Sequence, residues 1–202
     1  MDIDIDDVRA TYETNVFGVM AVVSSFISLL VPARGLVLNI SSISTQVPYL
    51  FGGIYSSTKG AIDVYSRALR LELQPLGVRV MVAMTGTVRS NIASRQHRTL
   101  PPGSYYAPVR DVFEKRLTFS QNNATYPTAK YAKMVVDQAL RGEGWLGGWL
   151  WRTPDQYWAG GLSRLVWIST LLPKWLMESI MGVYWGISGM TRSITAARAK
   201  KD

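Results

Sequence analysis

The sequence contains no cysteine, and that absence removes disulfides, thiolate metal sites and cysteine nucleophiles. Histidine is nearly as scarce. His97 is the single one, set in the polar, Arg-flanked run SRQHR, where a solvated loop residue is expected. A histidine triad and a multi-histidine metal centre go with it, so no metal site is expected. A secretory leader is also missing: Met1 is followed by DIDIDD, acidic where a leader needs a basic start and an apolar run. An intracellular protein is the expectation. The Asn39-Ile40-Ser41 and Asn123-Ala124-Thr125 triplets then read as chance matches to the glycosylation pattern. Acidic residues are the minority sign, 14 against 22 Lys and Arg, for a net charge of +8. That balance suits a phosphorylated cofactor or substrate, or an anionic membrane. The cations are scattered, not striped, and no nucleic-acid motif accompanies them, so a nucleic-acid partner is not expected.

At 202 residues the chain suits one domain with an appendage. Val8, Tyr12, Val16, Val19, Val23, Phe26, Ile27 and Leu30 recur at three- and four-residue steps, which predicts a helix from about Val8 to Leu30, capped by Asp6 or Asp7. Asn15 sits inside it, a poor helix-interior residue whose amide competes for backbone hydrogen bonds, and a local kink is expected there. Pro32 and Gly35 end the helix. Leu36–Ile40 is a short apolar run, as in a strand covered on both faces. A loop with Pro48, Gly52 and Gly53 leads to a helix from about Ile54 to Gln74, and Arg79–Met84 reads as a second buried strand. Strand, helix, strand in that order predicts a right-handed crossover in an α/β sheet.

The chemistry gathers between Asn39 and Ala61. Tyr55 and Lys59 lie four apart near the start of a helix, so they share a face. An ammonium beside a phenol favours the phenolate and should lower the Tyr55 pKa from its usual value of about 10. A phenol tuned in this way can give or take a proton during turnover. Ser42, just past the strand end, offers a hydroxyl to the same pocket.

Ser42 followed by Tyr55-Ser56-Ser57-Thr58-Lys59, with Asn15 in TNVFG upstream and Thr85-Gly86-Thr87-Val88 downstream, resembles the short-chain dehydrogenase/reductase family. The resemblance implies a Rossmann-like doubly wound parallel sheet. It also implies hydride transfer between NADP(H) and a carbonyl: Tyr55 as proton donor, Ser42 holding the substrate oxygen, Lys59 gripping the nicotinamide ribose and Asn15 holding a relay water. Thr85–Ser90 follows directly after a strand, where ligands of open parallel sheets bind. Gly86 would let the backbone approach a planar ring. By resemblance the Val88 amide meets the carboxamide and the Ser90 hydroxyl the diphosphate, although the family usually has Pro-Gly where this chain has Thr85-Gly86. A homodimer contact through the helices carrying Asn15 and Tyr55 is likewise implied.

Residues 92–127 are polar and read as a flexible loop with a short helix, forming a substrate lid in which Tyr105 and Tyr106 touch substrate. Thr128–Arg141 is amphipathic and helical. Gly142-Glu143-Gly144-Trp145-Leu146-Gly147 matches G-x-G-x-x-G in form but follows a helix, so it reads as a helix stop and turn leading to a last strand near Trp149–Arg152. Composition then changes. All seven Trp fall between Trp145 and Trp185, and from Leu162 to Met190 only Arg164, Lys174 and Glu178 are charged. Pro173 splits this stretch into segments too short for the roughly 20 residues of a bilayer span. Two membrane-surface helices are expected, with the basic tail from Arg192 on anionic headgroups. The expected division is a catalytic domain over 1–152 and a membrane-associated tail over 153–202.

The family's first half, with its Thr-Gly-x-x-x-Gly-x-Gly turn that cradles the diphosphate, has no counterpart in the sequence, and an N-terminal truncation is expected. Within the family, the Thr-Gly-x-Val turn and long apolar tail resemble the branch that reduces the lipid ketone 1-acyldihydroxyacetone phosphate with NADPH. Association with endoplasmic reticulum or lipid droplet membranes is the matching location, with the cytoplasm as the alternative. Two other readings stand beside it: a polyketide-type ketoreductase, and a catalytically inactive membrane-binding or dimerising fragment.

Overall fold

A computed structural model describes residues 2–91, 98–123, 126–144 and 152–200. His97, the second half of the glycine-rich G-x-G-x-x-G match and the strand expected near Trp149–Arg152 lie wholly or partly outside them. The first helix starts earlier than its apolar stripe predicts. The Asp4 side chain accepts from the Asp6 amide and caps α1 (Ile5–Tyr12), so the cap is Asp4 and not Asp6 or Asp7. A π-helical turn, Glu13–Phe17, joins it to α2 (Gly18–Leu30) without a break. The expected kink is this turn, with Asn15 in the middle of it. Together they form a 26-residue helix that is long and apolar enough to cross a membrane by length and composition. Its inner face is held on the protein: Tyr12 bonds Ser57, Asn15 bonds Thr58, and Val23 is buried.

Two strands follow where the apolar runs predict them. β1 (Leu36–Ser42) and β2 (Arg79–Thr85) pair in parallel over their whole length, from Leu36 opposite Arg79 to Ser42 opposite Thr85. The helix between them, α3 (Gly53–Leu73), ends in a 3-10 turn at Gln74–Leu76. The third strand, β3 (Gln156–Ala159), pairs parallel to β2, giving the order β1-β2-β3. The sheet therefore extends past the domain boundary expected at residue 152. Its short sequence, QYWA, lacks the β-branched run by which β1 and β2 announce themselves.

Both faces of the sheet are covered. On one, Val23 of α2 and Leu69 and Leu73 of α3 pack against Val37, Val78 and Val80. On the other, Val135 of α5 (Thr128–Ala139) packs on Met81 and Ala83, with Leu38, Tyr131 and Tyr157 around them. Arg70 locks the layers: its guanidinium donates to the Val80 and Asp155 carbonyls at 3.0 and 2.8 Å, so α3 is tied both to β2 and to the chain entering β3.

The polar stretch 92–127 holds more structure than a lid loop with a short helix. It contains the 13-residue α4 (Arg110–Asn122), preceded by a 3-10 turn at Ala107–Val109. The tail forms three helices instead of two. Pro173 separates α6 (Ser163–Ser169) from α7 (Lys174–Tyr184), as expected, and Gly186, at φ 68°, turns the chain again into α8 (Ile187–Arg198).

β2 is the most enclosed element, with Met81, Val82, Ala83 and Met84 at zero exposure. Met81→Ala should cost about 2–5 kcal/mol through lost transfer energy and an unfilled cavity. Urea unfolding with an unchanged m-value checks this, and a loss under about 1 kcal/mol would show that the sheet is not closed on that face.

Candidate active site

The site lies at the carboxyl edge of the sheet. β1 and β2 stop at the same level, and their last residues, Ser42 and Thr85, are register partners. Ser42 is buried, and its hydroxyl accepts from the Ser44 amide at 3.2 Å, which turns the chain into the Ile43–Thr45 3-10 turn. The chain returns through Pro48–Gly52 and enters α3, whose first turn and a half carries Tyr55 and Lys59.

The three side chains named by their spacing converge. Lys59 Nζ stands 5.9 Å from the Tyr55 ring centroid and donates to the Ile40 carbonyl of β1 at 2.9 Å. The Ser42 hydroxyl is close enough to the Tyr55 phenol to favour its phenolate form. The electrostatic balance differs from the one expected. Burial dominates and raises the Tyr55 pKa above 10.0; the group working to lower it is Ser42, not Lys59. Burial also depresses Lys59 below 10.5, because a desolvated ammonium is disfavoured. The expected lowering of Tyr55 by its helical neighbour is thus overturned in this state of the site.

Asn15 is close by but engaged. Its amide donates to Thr58 Oγ1 at 3.2 Å, which joins the π turn to the helix that carries Tyr55. Gly86 is required for a reason other than approach to a ring. A Cβ there would meet the Gly161 carbonyl oxygen at 2.1 Å, since Thr87 and Gly161 form a β-bridge just beyond β3. Val88 bridges to Tyr126, and the Ser90 amide donates to Gln121 Oε1 at 3.1 Å, so the Thr85–Ser90 turn is braced by α4.

Three residues not singled out as site residues in the sequence also belong to this neighbourhood. Tyr131, read only as part of an amphipathic stripe, shares a 2.5 Å hydrogen bond with Thr85, and its phenol lies within electrostatic reach of Tyr55; burial raises its pKa. The usual proline at position 85 could not make that bond. Tyr49 also faces Tyr55, and burial raises it too. Arg116 is buried in α4. Its guanidinium stacks 4.7 Å from the Tyr49 ring centroid and donates to the Leu50 carbonyl at 3.2 Å. Next along, Phe51 holds a left-handed φ of 53° and is clamped by edge contacts with Tyr106 and Phe113. A left-handed non-glycine residue is strained and persists only where its surroundings over-determine it. Tyr106 therefore packs on the loop beside the site, whereas Tyr105 is exposed beneath the Arg198 guanidinium.

A cation, a phenol and a hydroxyl at the end of a parallel strand, with Tyr-x-x-x-Lys on the next helix, can be set against known proteins. Residues 1–100 match the family described as short chain dehydrogenase. The whole chain aligns with short-chain dehydrogenase srdE of Neurospora crassa, 32% identical over 204 residues and covering 67% of that protein. The chain belongs to the short-chain dehydrogenase family. Members of this family are NAD(P)-dependent oxidoreductases of Rossmann-like fold. The NADPH-dependent 1-acyldihydroxyacetone phosphate reductase of Saccharomyces cerevisiae is 29% identical over 198 residues, 96% of this chain and 63% of that protein. A short-chain dehydrogenase from Streptomyces avermitilis superposes with a TM-score of 0.63 at 21% identity, over 94% of this chain and 63% of that one. The chain spans between 52% and 67% of the length of such curated relatives.

The raised Tyr55 pKa sets a pH dependence of stability. Folded Tyr55 holds its proton more tightly than unfolded Tyr55, so the stability this provides is intact below pH 10.0 and is lost as pH rises through the folded value. Lys59 acts in the opposite sense, its depressed value giving stability above 10.5 that is lost as pH falls through the folded value. Tyr55→Phe removes the first contribution alone. Its unfolding free energy should decline less steeply than that of the wild type as pH is raised past 10.0; equal slopes would mean that Tyr55 titrates normally.

Proposed function

We propose that this chain carries the proton-donating half of an NADPH-dependent carbonyl reductase that converts a lipid-like ketone to an alcohol. The observation that carries the reading is the convergence of the Ser42 hydroxyl and the Lys59 ammonium on the Tyr55 phenol. Ser44 Oγ and Ser56 Oγ, two residues past Ser42 and one past Tyr55 in the chain, are buried without a hydrogen-bond partner among the described residues, and such polar atoms support a polar ligand nearby. NADPH, when bound, supplies the hydride. The residues of this chain hold and protonate. Ser42 donates a hydrogen bond to the ketone oxygen, and Tyr55 Oη gives that oxygen its proton. The phenol is protonated at neutral pH, as the acid role in the reducing direction requires; burial raises its pKa and makes it a weaker acid, so a cation drawn closer is needed to promote the transfer. Lys59, freed from the Ile40 carbonyl, would favour the phenolate left behind and hold the ribose hydroxyls. Asn15, in its π turn, would hold the relay water, with the Gly86–Ser90 turn, through the Val88 amide and Ser90 hydroxyl, beneath the carboxamide and diphosphate.

NADP(H) rather than NAD(H) is supported by the printed description of the yeast relative as NADPH-dependent, and by the chain's net charge of +8. The same relative supports 1-acyldihydroxyacetone phosphate or a ketone of that class as substrate. The reading extends to a membrane-associated enzyme at the endoplasmic reticulum or lipid droplet, bound through residues 162–202. It also includes a homodimer through the outer faces of α1–α2 and α3, where Phe17, Val22, Phe26, Leu29 and Val64 are exposed.

The test is NADPH oxidation by the full-length protein with 1-acyldihydroxyacetone phosphate. Tyr55→Phe should lower kcat by at least about a hundredfold with little change in KM, the usual share of a positioned general acid. Turnover of polyketide-type ketones but not of the lipid would move the substrate class and keep the chemistry. Retained kcat in Tyr55→Phe would end the reductase reading.

A further inference from the structure

The tail presents an apolar corner that stands exposed among the described residues. α6 packs its inner side on the body, with Ser163 and Val166 buried, and Pro173 then separates it from α7. Outward from this corner stand Leu165 at 66% exposure, Leu171 at 74% and Trp175 at 66%, with Trp167, Ile168 and Leu172 about half exposed between them. These six fall within eleven consecutive residues, so they form one surface and not scattered spots. A patch of that kind on a water-soluble body marks a contact site.

Its charges identify the partner. Between Asp155 and Glu178 the chain has no acidic residue, and its only charges are Arg164 and Lys174, both exposed beside the patch. Cations at the rim, indoles at both ends and leucines at the tip match the layered chemistry of a phospholipid surface: headgroup, interface, acyl chain. Exposed apolar side chains also occur on the later part of α7 and the start of α8 (Ile180, Val183, Ile187), next to the corner, and on the outer face of α1–α2, which lacks this match. It has no tryptophan, and Asp2, Asp4, Asp6, Asp7 and Glu13 crowd its first half, which an anionic bilayer would repel. The last helix does not fit either. Met190 in α8 is buried, as is Trp185 just before it, and Trp185 stacks on Phe119 of α4 at 5.4 Å.

We infer that the α6–α7 corner, led by Leu171, Leu172 and Trp175, is the segment that inserts into an anionic phospholipid surface. The inference rests on the membrane reading above and narrows it: the rest of 162–202, including α8 with Arg192 and Arg198, stays on the protein body. α7, eleven residues and about 16 Å long, then carries the membrane contact at its first end. At its last end Tyr184 and Trp185 stack on Phe119, and Trp185 also meets Tyr49, the ring beside Tyr55. The corner would hold the mouth of the site at the lipid phase.

Flotation with phosphatidylcholine vesicles, with and without phosphatidylserine, tests this. The wild type should float with the anionic vesicles and more weakly with neutral ones. Leu171→Glu with Leu172→Glu, both at exposed positions, should weaken binding at least tenfold while the circular dichroism spectrum is unchanged. The control pair Val136→Glu with Leu140→Glu, exposed apolar positions along and just past α5 and outside the proposed dimer face, should float as the wild type does. If the corner variant floats like the wild type, the corner is wrong and the broader membrane reading survives. If the wild type floats with neither vesicle, both fall. A wild-type dimer that sedimentation shows the corner variant to dissolve, without flotation, would make the corner a contact between copies.

Discussion

Leu36–Ser42 and Arg79–Thr85 run parallel in unbroken register, and because both strands end at the same level, Ser42 and Thr85 stand side by side at one edge. The crossover helix must begin above that edge, so Tyr55 and Lys59 in its first turns hang over the strand ends. Everything chemical in the molecule follows from this pairing. Ser42 meets Tyr55 from below, Lys59 reaches back to Ile40, and Thr85 takes the hydroxyl of Tyr131 from the opposite layer. A one-residue slip in register would turn these side chains to the wrong face. The buried valines and methionines of β2 are what hold the register.

Around that edge the protein builds a frame from aromatic and cationic contacts rather than from ion pairs. The Arg9–Asp6 and Lys133–Asp137 salt bridges join exposed neighbours on one helix and contribute little. Arg116 is different: buried, stacked on Tyr49 and bonded to Leu50, it sets the loop that precedes the helix carrying Tyr55 and Lys59. Phe119, Tyr184 and Trp185 extend this packing to the tail. Trp185 is 5% exposed, and its indole N–H has no partner among the described residues, so its place depends on ring contacts, with the Lys115 ammonium 6.0 Å from its centroid.

Much of this was legible from local pattern. The apolar runs of β1 and β2, the Tyr55–Lys59 spacing and the disturbance at Asn15 are short-range signals, and each appears where the residues predict it. What could not be read depends on contacts between distant segments. QYWA becomes a strand only because β2 and Arg70 are waiting for it. The direction of the Tyr55 shift turns on burial, which the helical spacing to Lys59 does not report. Arg116 looks like any surface arginine of an amphipathic helix until the Tyr49–Phe51 loop closes on it. In the tail, Pro173 was a visible break, but Gly186 hid among the glycines, and its left-handed turn made three helices out of two.

The central claim is that burial raises the Tyr55 pKa, with the Ser42 hydroxyl opposing it by favouring the phenolate. The most direct test is the pH titration of the Tyr55 ring carbon bearing oxygen, followed by carbon NMR in tyrosine-labelled protein, with Tyr55→Phe to assign the signal. The midpoint should lie above 10.0, and Ser42→Ala should move it higher still. A midpoint below 10.0, or one indifferent to Ser42→Ala, would contradict the account.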